Sequence, residues 1–370
     1  MSEINLQIAA ATHVGLVRKN NEDNLCVCAS LDKQQWDLPE DTVTVDLGEA
    51  GSLLVVADGM GGANAGEVAS AIAVDTVRQY LTPEVVAEAI ATDTGVQDTL
   101  VSVVKTADKA IADEANANSE HSGMGTTIVM AWIVNGKAYI CWCGDSRAYV
   151  FNPQASSSQQ LSKDHSYVQQ LIDAGKLDPA NAHNHPYSNV ITQCLGDQSH
   201  RAEPDVRMYH LIHGDTIMLC SDGLTGMCID DDITDIIQQH QDEDLHETLN
   251  ALIAAALDGG GHDNVTVALA RYIETDIAKQ DKVDNIDGDK EHNPLNDTVP
   301  IGGKVEKNNT TEEVTSNTVE VEKPKHNVRW TLLSLLLLCC IAAMLYWIFY
   351  PEQAQQTLDK VKQFVYAYLM

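Results

Sequence analysis

The sequence predicts an α+β domain of two packed β-sheets covered by helices, followed by a polar linker and one membrane-spanning helix. Three observations carry this expectation. Residues 6–272 alternate between short runs rich in Val, Ile and Thr and longer helical stretches. Long runs of strands with interspersed helices suit two sheets packed face to face under helices. From about residue 276 the chain turns polar and loses its aromatic residues, and residues 330–350 then carry no charge at all.

The strands are expected at 52–57, 126–134, 138–143, 216–220 and 265–271, and the helices at 66–80, 96–117, 166–174, 233–239 and 245–257. This folded domain is assigned to residues 1–275. The opening MSEINLQIAA has neither a basic start nor a long apolar core, so it does not read as a signal peptide. Residues 276–328 are full of Asp, Asn, Glu, Lys and Thr. Such a segment buries too little apolar surface to offset its chain entropy, and a disordered linker is expected.

Residues 329–350 are expected to span a bilayer. The uncharged run WTLLSLLLLCCIAAMLYWIFY, at 1.5 Å per residue, reaches roughly 30 Å. Trp330 at one end and Tyr346, Trp347 and Tyr350 at the other fit interfacial aromatic belts. Lys323, Lys325 and Arg329 precede the span, whereas the tail at 351–370 balances Lys360 and Lys362 against Glu352 and Asp359. The positive-inside rule then predicts a single-pass protein of the cell (inner) membrane, with the folded domain in the cytoplasm and the short tail outside.

A net charge of −31 excludes nucleic acid as a partner, because phosphate backbones demand a basic surface. Solvated surface and an acidic linker account for most of that charge; it also leaves open a preference for basic substrates. The nine cysteines include the pairs Cys26/Cys28 and Cys141/Cys143, whose i, i+2 spacing puts both thiols on one strand face. A Cys₄ zinc site more often has two intervening residues, so reduced, buried thiols are expected.

Four stretches carry the chemistry: RKNNED (18–23), VVADGMGG (55–62), LCSDGL (219–224) and GGHDNVTV (260–267). The last three adjoin apolar, strand-like runs, so folding would gather their carboxylates at strand ends around one pocket. Clustered carboxylates repel and cost desolvation unless cations neutralise them. Hard oxygen donors suit Mg²⁺ or Mn²⁺. The pattern points to a metal-dependent hydrolase.

Together with GLVRKNNED, MGTT (124–127), GDSRAYVF (144–151), LSKDHSYVQQLIDAGKL (161–177) and NVITQCLG (189–196), these stretches resemble the type 2C, metal-dependent Ser/Thr protein phosphatases. The form VADGMGG…GE resembles the bacterial branch. The motifs keep family order over residues 6–272; eight pieces in order are far more specific than any one alone. The resemblance implies a central β-sandwich of antiparallel sheets flanked by helices, with the metals at one end.

It also implies roles. Asp58 would bridge two cations, the Gly59 carbonyl would bind the first, and Asp222 and Asp263 would complete the second. Such a pair of Mn²⁺ or Mg²⁺ ions would acidify a bridging water, whose hydroxide attacks the phosphorus of phosphoserine or phosphothreonine in line. Arg18 would hold the phosphate oxygens with its planar fork of donors. Glu22 and Asp23 would orient waters from behind the ligands. Asp145 is implied to join Asp222 at a third, weaker metal; read from the residues alone it is a turn cap paired with Arg147. MGTT reads as packing beneath the site, and His165 as ordering its own loop. His183 and His185 form an HxH pair in a stretch resembling a mobile flap beside the site, and the polar-loop reading outweighs a transition-metal site there.

Three departures stand out. Met60 follows Asp58–Gly59 where animal members have a histidine that protonates the leaving group. Ala63 follows GMGG where bacterial members often carry histidine, and His13 replaces a common aspartate. No general acid is therefore named. The expected partners are phosphorylated proteins, a cognate bacterial Ser/Thr kinase and, through the C-terminal helix, the membrane. The alternative function is a catalytically inactive phosphoprotein-binding module at the membrane; intact Arg18, Asp58, Asp222 and Asp263 speak against it. A nucleotide loop at GMGG fails because no GK[ST] or GxGxxG follows the strand.

Overall fold

Apolar runs long enough to be buried on both faces form the centre of the molecule. The computed structural model describes residues 4–36, 40–61, 65–155, 157–183 and 185–274. In order, the strands are β1 (Ile4–His13), β2 (Asp23–Cys28), β3 (Val43–Asp46), β4 (Ser52–Met60), β5 (Gly125–Thr126), β6 (Ile128–Val134), β7 (Lys137–Cys143), β8 (Arg147–Asn152), β9 (Ser157–Gln160), β10 (Asp205–His210), β11 (Thr216–Cys220) and β12 (Val265–Glu274). The helices are α1 (Ala65–Tyr80), α2 (Pro83–Ala89), α3 (Asp93–Ala117), α4 (Tyr167–Asp173), α5 (Asp222–Thr225), α6 (Asp230–Gln239) and α7 (Leu245–Asp258).

One sheet runs β3-β1-β12-β11-β8-β9 and the other β10-β7-β6-β4-β2, with β5 paired to the end of β4. Neighbouring strands are antiparallel throughout. Side-chain alternation sorts the core into layers. Leu54 and Val56 of β4 meet Leu6, Ile8, Ile217 and Leu219 between the sheets. Leu53, Val55 and Ala57, one residue out of phase, face Val77, Leu100, Val103 and Ile111 of α1 and α3. On the far side, Met218, Val267 and Leu269 pack under Leu249 and Leu252 of α7. The expected two-sheet sandwich between helices is the observed fold.

Local chemistry places the elements. Thr92 begins α3, its hydroxyl accepting from the Gly95 amide at 2.9 Å, and Ser166 caps α4 through the Gln169 amide at 3.2 Å. Asn135 and Gly136 both take positive φ (51° and 70°) between β6 and β7, as a two-residue hairpin requires. The helices expected at 66–80, 96–117, 166–174, 233–239 and 245–257 are present, the second and fourth starting three residues early. The strand expected at 126–134 is broken at Thr127, whose amide leaves the ladder to donate to the Asp58 carbonyl at 2.8 Å.

Cys26, Cys28, Cys141 and Cys143 are free, buried thiols on the helix-facing side of one sheet. Strands β6 and β4 separate β7 from β2, so the two pairs are too far apart for a shared zinc. Among the described residues no helix is long and apolar enough to cross a membrane. The linker, span and tail expected at 276–328, 329–350 and 351–370 lie outside the described residues.

Candidate active site

Antiparallel alternation brings the ends of β1, β4, β7 and β11 to the same edge of the sandwich as the starts of β2, β8 and β12. Every acidic group singled out in the sequence lies there. Asp23 opens β2 and stands opposite Asp58 in the β2–β4 ladder. Asp145 sits in the turn between β7 and β8, Asp222 begins α5 directly after β11, and Asp263 precedes β12. Asp58, Asp145, Asp222 and Asp263 are partly exposed, whereas Asp23 is buried.

The end of β4 differs from expectation. The strand expected to end at residue 57 continues to Met60. Close approach of other backbone requires glycine at 59. A Cβ there would lie 2.2 Å from the Gly66 carbonyl oxygen and 2.5 Å from that of Glu22. Gly223 answers the same need beside Asp222, where a Cβ would lie 1.9 Å from the Asn264 carbonyl oxygen. The Asp-Gly pairs therefore let other backbone press against the acidic residue.

Hydroxyls and amides immobilise the carboxylates. The Asp58 amide donates to Thr127 Oγ1 at 3.1 Å, and its carbonyl accepts from Thr126 Oγ1 at 2.8 Å. Thr127 Oγ1 lies 2.6 Å from Ser146 Oγ, which couples Asp58 to the Asp145 turn. MGTT thus does more than pack: Met124 is core, but the threonines hold Asp58. Asp23 Oδ2 accepts from Ser221 Oγ at 2.8 Å and Thr266 Oγ1 at 2.6 Å. Asn264 gathers the loop between β1 and β2. Its Oδ1 accepts from the Glu22 amide at 2.8 Å, and its Nδ2 donates to the carbonyls of Val14 and Asn20 at 2.9 and 3.0 Å.

Sequence reasoning missed Thr127, Ser221, Asn264 and Thr266. The only signal was their place inside or beside the acidic motifs; which atoms they bind depends on the three-dimensional pairing.

Arg18 reaches the cluster by an ion pair, Nη2 to Asp263 Oδ2 at 2.7 Å, and this hydrogen bond raises its pKa. Arg147 does not pair with Asp145. Its guanidinium holds Asp164 at 2.7–3.0 Å and reaches Asp230 at 3.6 Å. His165 orders more than its own loop: its Nδ1 accepts from the Gly144 amide at 3.1 Å and its amide donates to the Gly144 carbonyl at 2.9 Å. His185 Nδ1 accepts from the Tyr187 amide at 3.2 Å, an internal loop contact.

The electrostatics are those of anions short of cations. Desolvation pushes Asp23 up to about 7 despite its two hydroxyl donors, and Asp145 up to about 8, with Asp222 adding repulsion. Desolvation, then Asp23, Asp222, Asp145 and Asp263, hold Asp58 far above the usual carboxylate range. Asp222 is raised by desolvation and by Asp263, and a hydrogen bond with Asp58 partly offsets this. Glu22 is also raised, chiefly by desolvation.

Among the described residues, no group of three or more His, Cys, Asp or Glu side chains is arranged to hold a metal by itself. Mg²⁺-type sites need no such cage, since one or two carboxylates and several waters commonly suffice. The donor set fits hard divalent cations: only carboxylate oxygens converge, with no thiol or imidazole among them, and the excess negative charge is the kind that bound cations relieve. A cavity of about 320 Å³ lies elsewhere, lined by Gln7, Phe151, Thr216 and Arg271, and contains none of these acids.

The profile of the family described as Protein phosphatase 2C matches residues 37–259, more than half the chain. The chain belongs to the protein phosphatase 2C family. It is 32% identical over 274 residues to the serine/threonine protein phosphatase PstP of Mycobacterium tuberculosis, covering 74% of this chain and 46% of that protein. The chain thus spans about half the length of that relative. The serine/threonine phosphatase stp of Listeria innocua is 34% identical over 261 residues, with 70% of this chain and 92% of that one covered. The crystal structure of the PstP catalytic domain in complex with two manganese ions superposes with a TM-score of 0.58 at 31% identity, covering 73% of this chain and 99% of that one.

Proposed function

We infer that this member of the protein phosphatase 2C family is a metal-dependent protein serine/threonine phosphatase acting on phosphorylated proteins. The observation that carries the reading is the convergence of Asp23, Asp58, Asp145, Asp222 and Asp263 at one end of the sandwich, with Arg18 beside them. The same family contains a relative crystallised with two manganese ions.

In this reading Asp58, the Gly59 carbonyl, Asp222 and Asp263 hold two Mn²⁺ or Mg²⁺ ions, and Asp145 with Asp222 a third, weaker one. When bound, the cations supply positive charge at the phosphoryl group and lower the pKa of water. The chain does the rest. Arg18, tethered to Asp263, presents its remaining donors to phosphate oxygens. Asp23 and Glu22 stand behind the ligands as acceptors that orient water. Thr127 and Asn264 hold the backbone at Asp58 and Glu22, and the Asn264 amide donates to the Asp263 carboxylate at 2.8 Å. No side chain at the site is assigned as the leaving-group acid, since Met60 occupies the place where animal relatives carry histidine.

Membrane anchoring through residues 329–350, with the domain in the cytoplasm, belongs to the same proposal, as does a Ser/Thr kinase whose products this enzyme reverses. The uncharged run and the basic residues before it support the anchor. The deciding experiment is phosphate release from a phosphothreonine peptide by the full chain, with Mn²⁺, with chelator, and with Asp58→Asn as control. Release that needs Mn²⁺ and vanishes in the variant is expected. Release that survives thorough chelation would overturn the metal-dependent reading. Deleting residues 326–370 should move active protein to the soluble fraction; persistent membrane association would refute the anchor.

A further inference from the structure

Large apolar side chains rarely stand in water without a reason when they cluster. Of the seven exposed ones among the described residues, five fall in two patches, one on the loop after β1 and one where the start of α4 meets the loop that follows it. Leu16 and Val17, 65% and 61% exposed, immediately precede Arg18. Their loop is not free to fold them away: the Leu16 amide donates to the Gly261 carbonyl at 2.7 Å, and Arg18 is tied to Asp263. The second patch consists of Tyr167, Tyr187 and Val190. The Tyr167 amide donates to the Val190 carbonyl at 2.8 Å, and the two tyrosine rings meet edge to face at 5.9 Å. Tyr167 follows His165 by two residues, and His165 grips Gly144 beside Asp145.

One patch therefore borders the Arg18–Asp263 side of the acidic cluster and the other borders Asp145. A protein chain that delivers a phosphoryl group to Arg18 has to lay its neighbouring residues on this rim. We propose that the two patches bind the residues flanking the phosphoserine or phosphothreonine, and that preferred substrates carry apolar or aromatic side chains there. The proposal rests on the phosphatase reading and deepens it. It departs from what the net charge of −31 invites, a preference for basic substrates. On the Leu16–Val17 loop Arg18, paired with Asp263, and the exposed Lys19 follow the apolar pair directly, whereas the loop's acidic group, Glu22, lies three residues beyond Lys19; Lys19 would repel a basic flank laid on Leu16 and Val17.

The test uses the full chain with Mn²⁺ and three phosphothreonine peptides, flanked by Leu and Phe, by Ser and Gly, or by Lys and Arg. Turnover is measured as kcat/KM, and binding as fluorescence anisotropy of labelled peptide; para-nitrophenyl phosphate, which has no flanks, serves as reference. The apolar-flanked peptide should exceed the others by roughly tenfold in kcat/KM, mostly through KM. Val17→Ser and Tyr187→Ser should each shrink that preference severalfold relative to the nitrophenyl reference. Equal values for the three peptides, preference for the Lys/Arg flank, or variants that lower peptide and reference together would overturn the surface. Tightest binding of the apolar-flanked peptide without turnover of any substrate would keep the surface and sink the phosphatase reading instead.

Discussion

Asp23 on β2 stands directly across from Asp58 on β4 in an antiparallel ladder. Like charges in that position destabilise a sheet. The fold gives Asp23 two hydroxyl donors, Ser221 and Thr266, while desolvation and the surrounding carboxylates favour the protonated, uncharged form of Asp58. Under the proposed reading, cations held by Asp58 would relieve a repulsion that opposes folding in their absence.

Stability of the metal-free protein should consequently depend on pH with an inverted slope. Burial pushes Asp23 up to about 7 and Asp145 up to about 8, against 3.8 for an ordinary aspartate. Between these limits the folded state holds protons that the unfolded state has released, so stability falls as pH rises through the window. Calorimetry of chelated protein should show Tm falling from about pH 5.5 to about pH 8, with Mn²⁺ raising Tm more at the higher pH. A Tm that climbs over that range without metal would contradict the electrostatic account.

Removing one charge separates folding from activity. Asp58→Asn and Asp222→Asn should each lower kcat by roughly 10³-fold, because several kcal/mol of cation-derived stabilisation disappear. The same variants, freed of repulsion, should be at least as stable as the wild type when metal-free. Circular dichroism melts beside phosphate-release assays check both halves; full activity in Asp222→Asn would remove that residue from the site.

The Asn264 amide donates to Asp263 Oδ1 at 2.8 Å, and its side chain ties Val14, Asn20 and Glu22 together. Asn264→Ala removes the side-chain partner of the half-buried Glu22 amide and Val14 carbonyl, each worth about 1–3 kcal/mol where water cannot replace it. Mn²⁺ affinity should drop by roughly 10–100-fold as the Arg18 loop loosens. Titration calorimetry and the melting temperature measure these effects; unchanged Mn²⁺ affinity would make Asn264 irrelevant to the site.

Gly59→Ala tests the close approach between β4 and α1. Its methyl would meet two backbone carbonyls at 2.2 and 2.5 Å, neither of which can swing aside like a side chain. Overpacking should cost about 1–3 kcal/mol and several degrees of Tm. Displacing Asp58 by a fraction of an ångström to 1 Å should cost up to about 10²-fold in kcat. A stable, fully active variant would show that the strand end is softer than its packing implies.

Much of this molecule is written locally. The continuous apolar run of β4, the helical patterns of α1 and α3 and the Asp-Gly motifs depend on nearest neighbours and strand or helix periodicity, and they are legible in the chain. So is the chemistry of the site, because grouped carboxylates with no thiol or imidazole partner admit few cofactors. Short strands such as β3 and β9 were not legible, since four residues carry too little periodicity. The partners of Asp23, Asp58 and Arg147 were not legible either. Asp23 meets Ser221 and Thr266 across 198 and 243 residues, and Arg147 chooses Asp164 over its neighbour Asp145. Residue types and their local spacing narrow the candidate chemistry to the acidic motifs and mark the segments to be buried. Which oxygen faces which donor follows from strand order and register, set by the packing of distant segments rather than by any local preference.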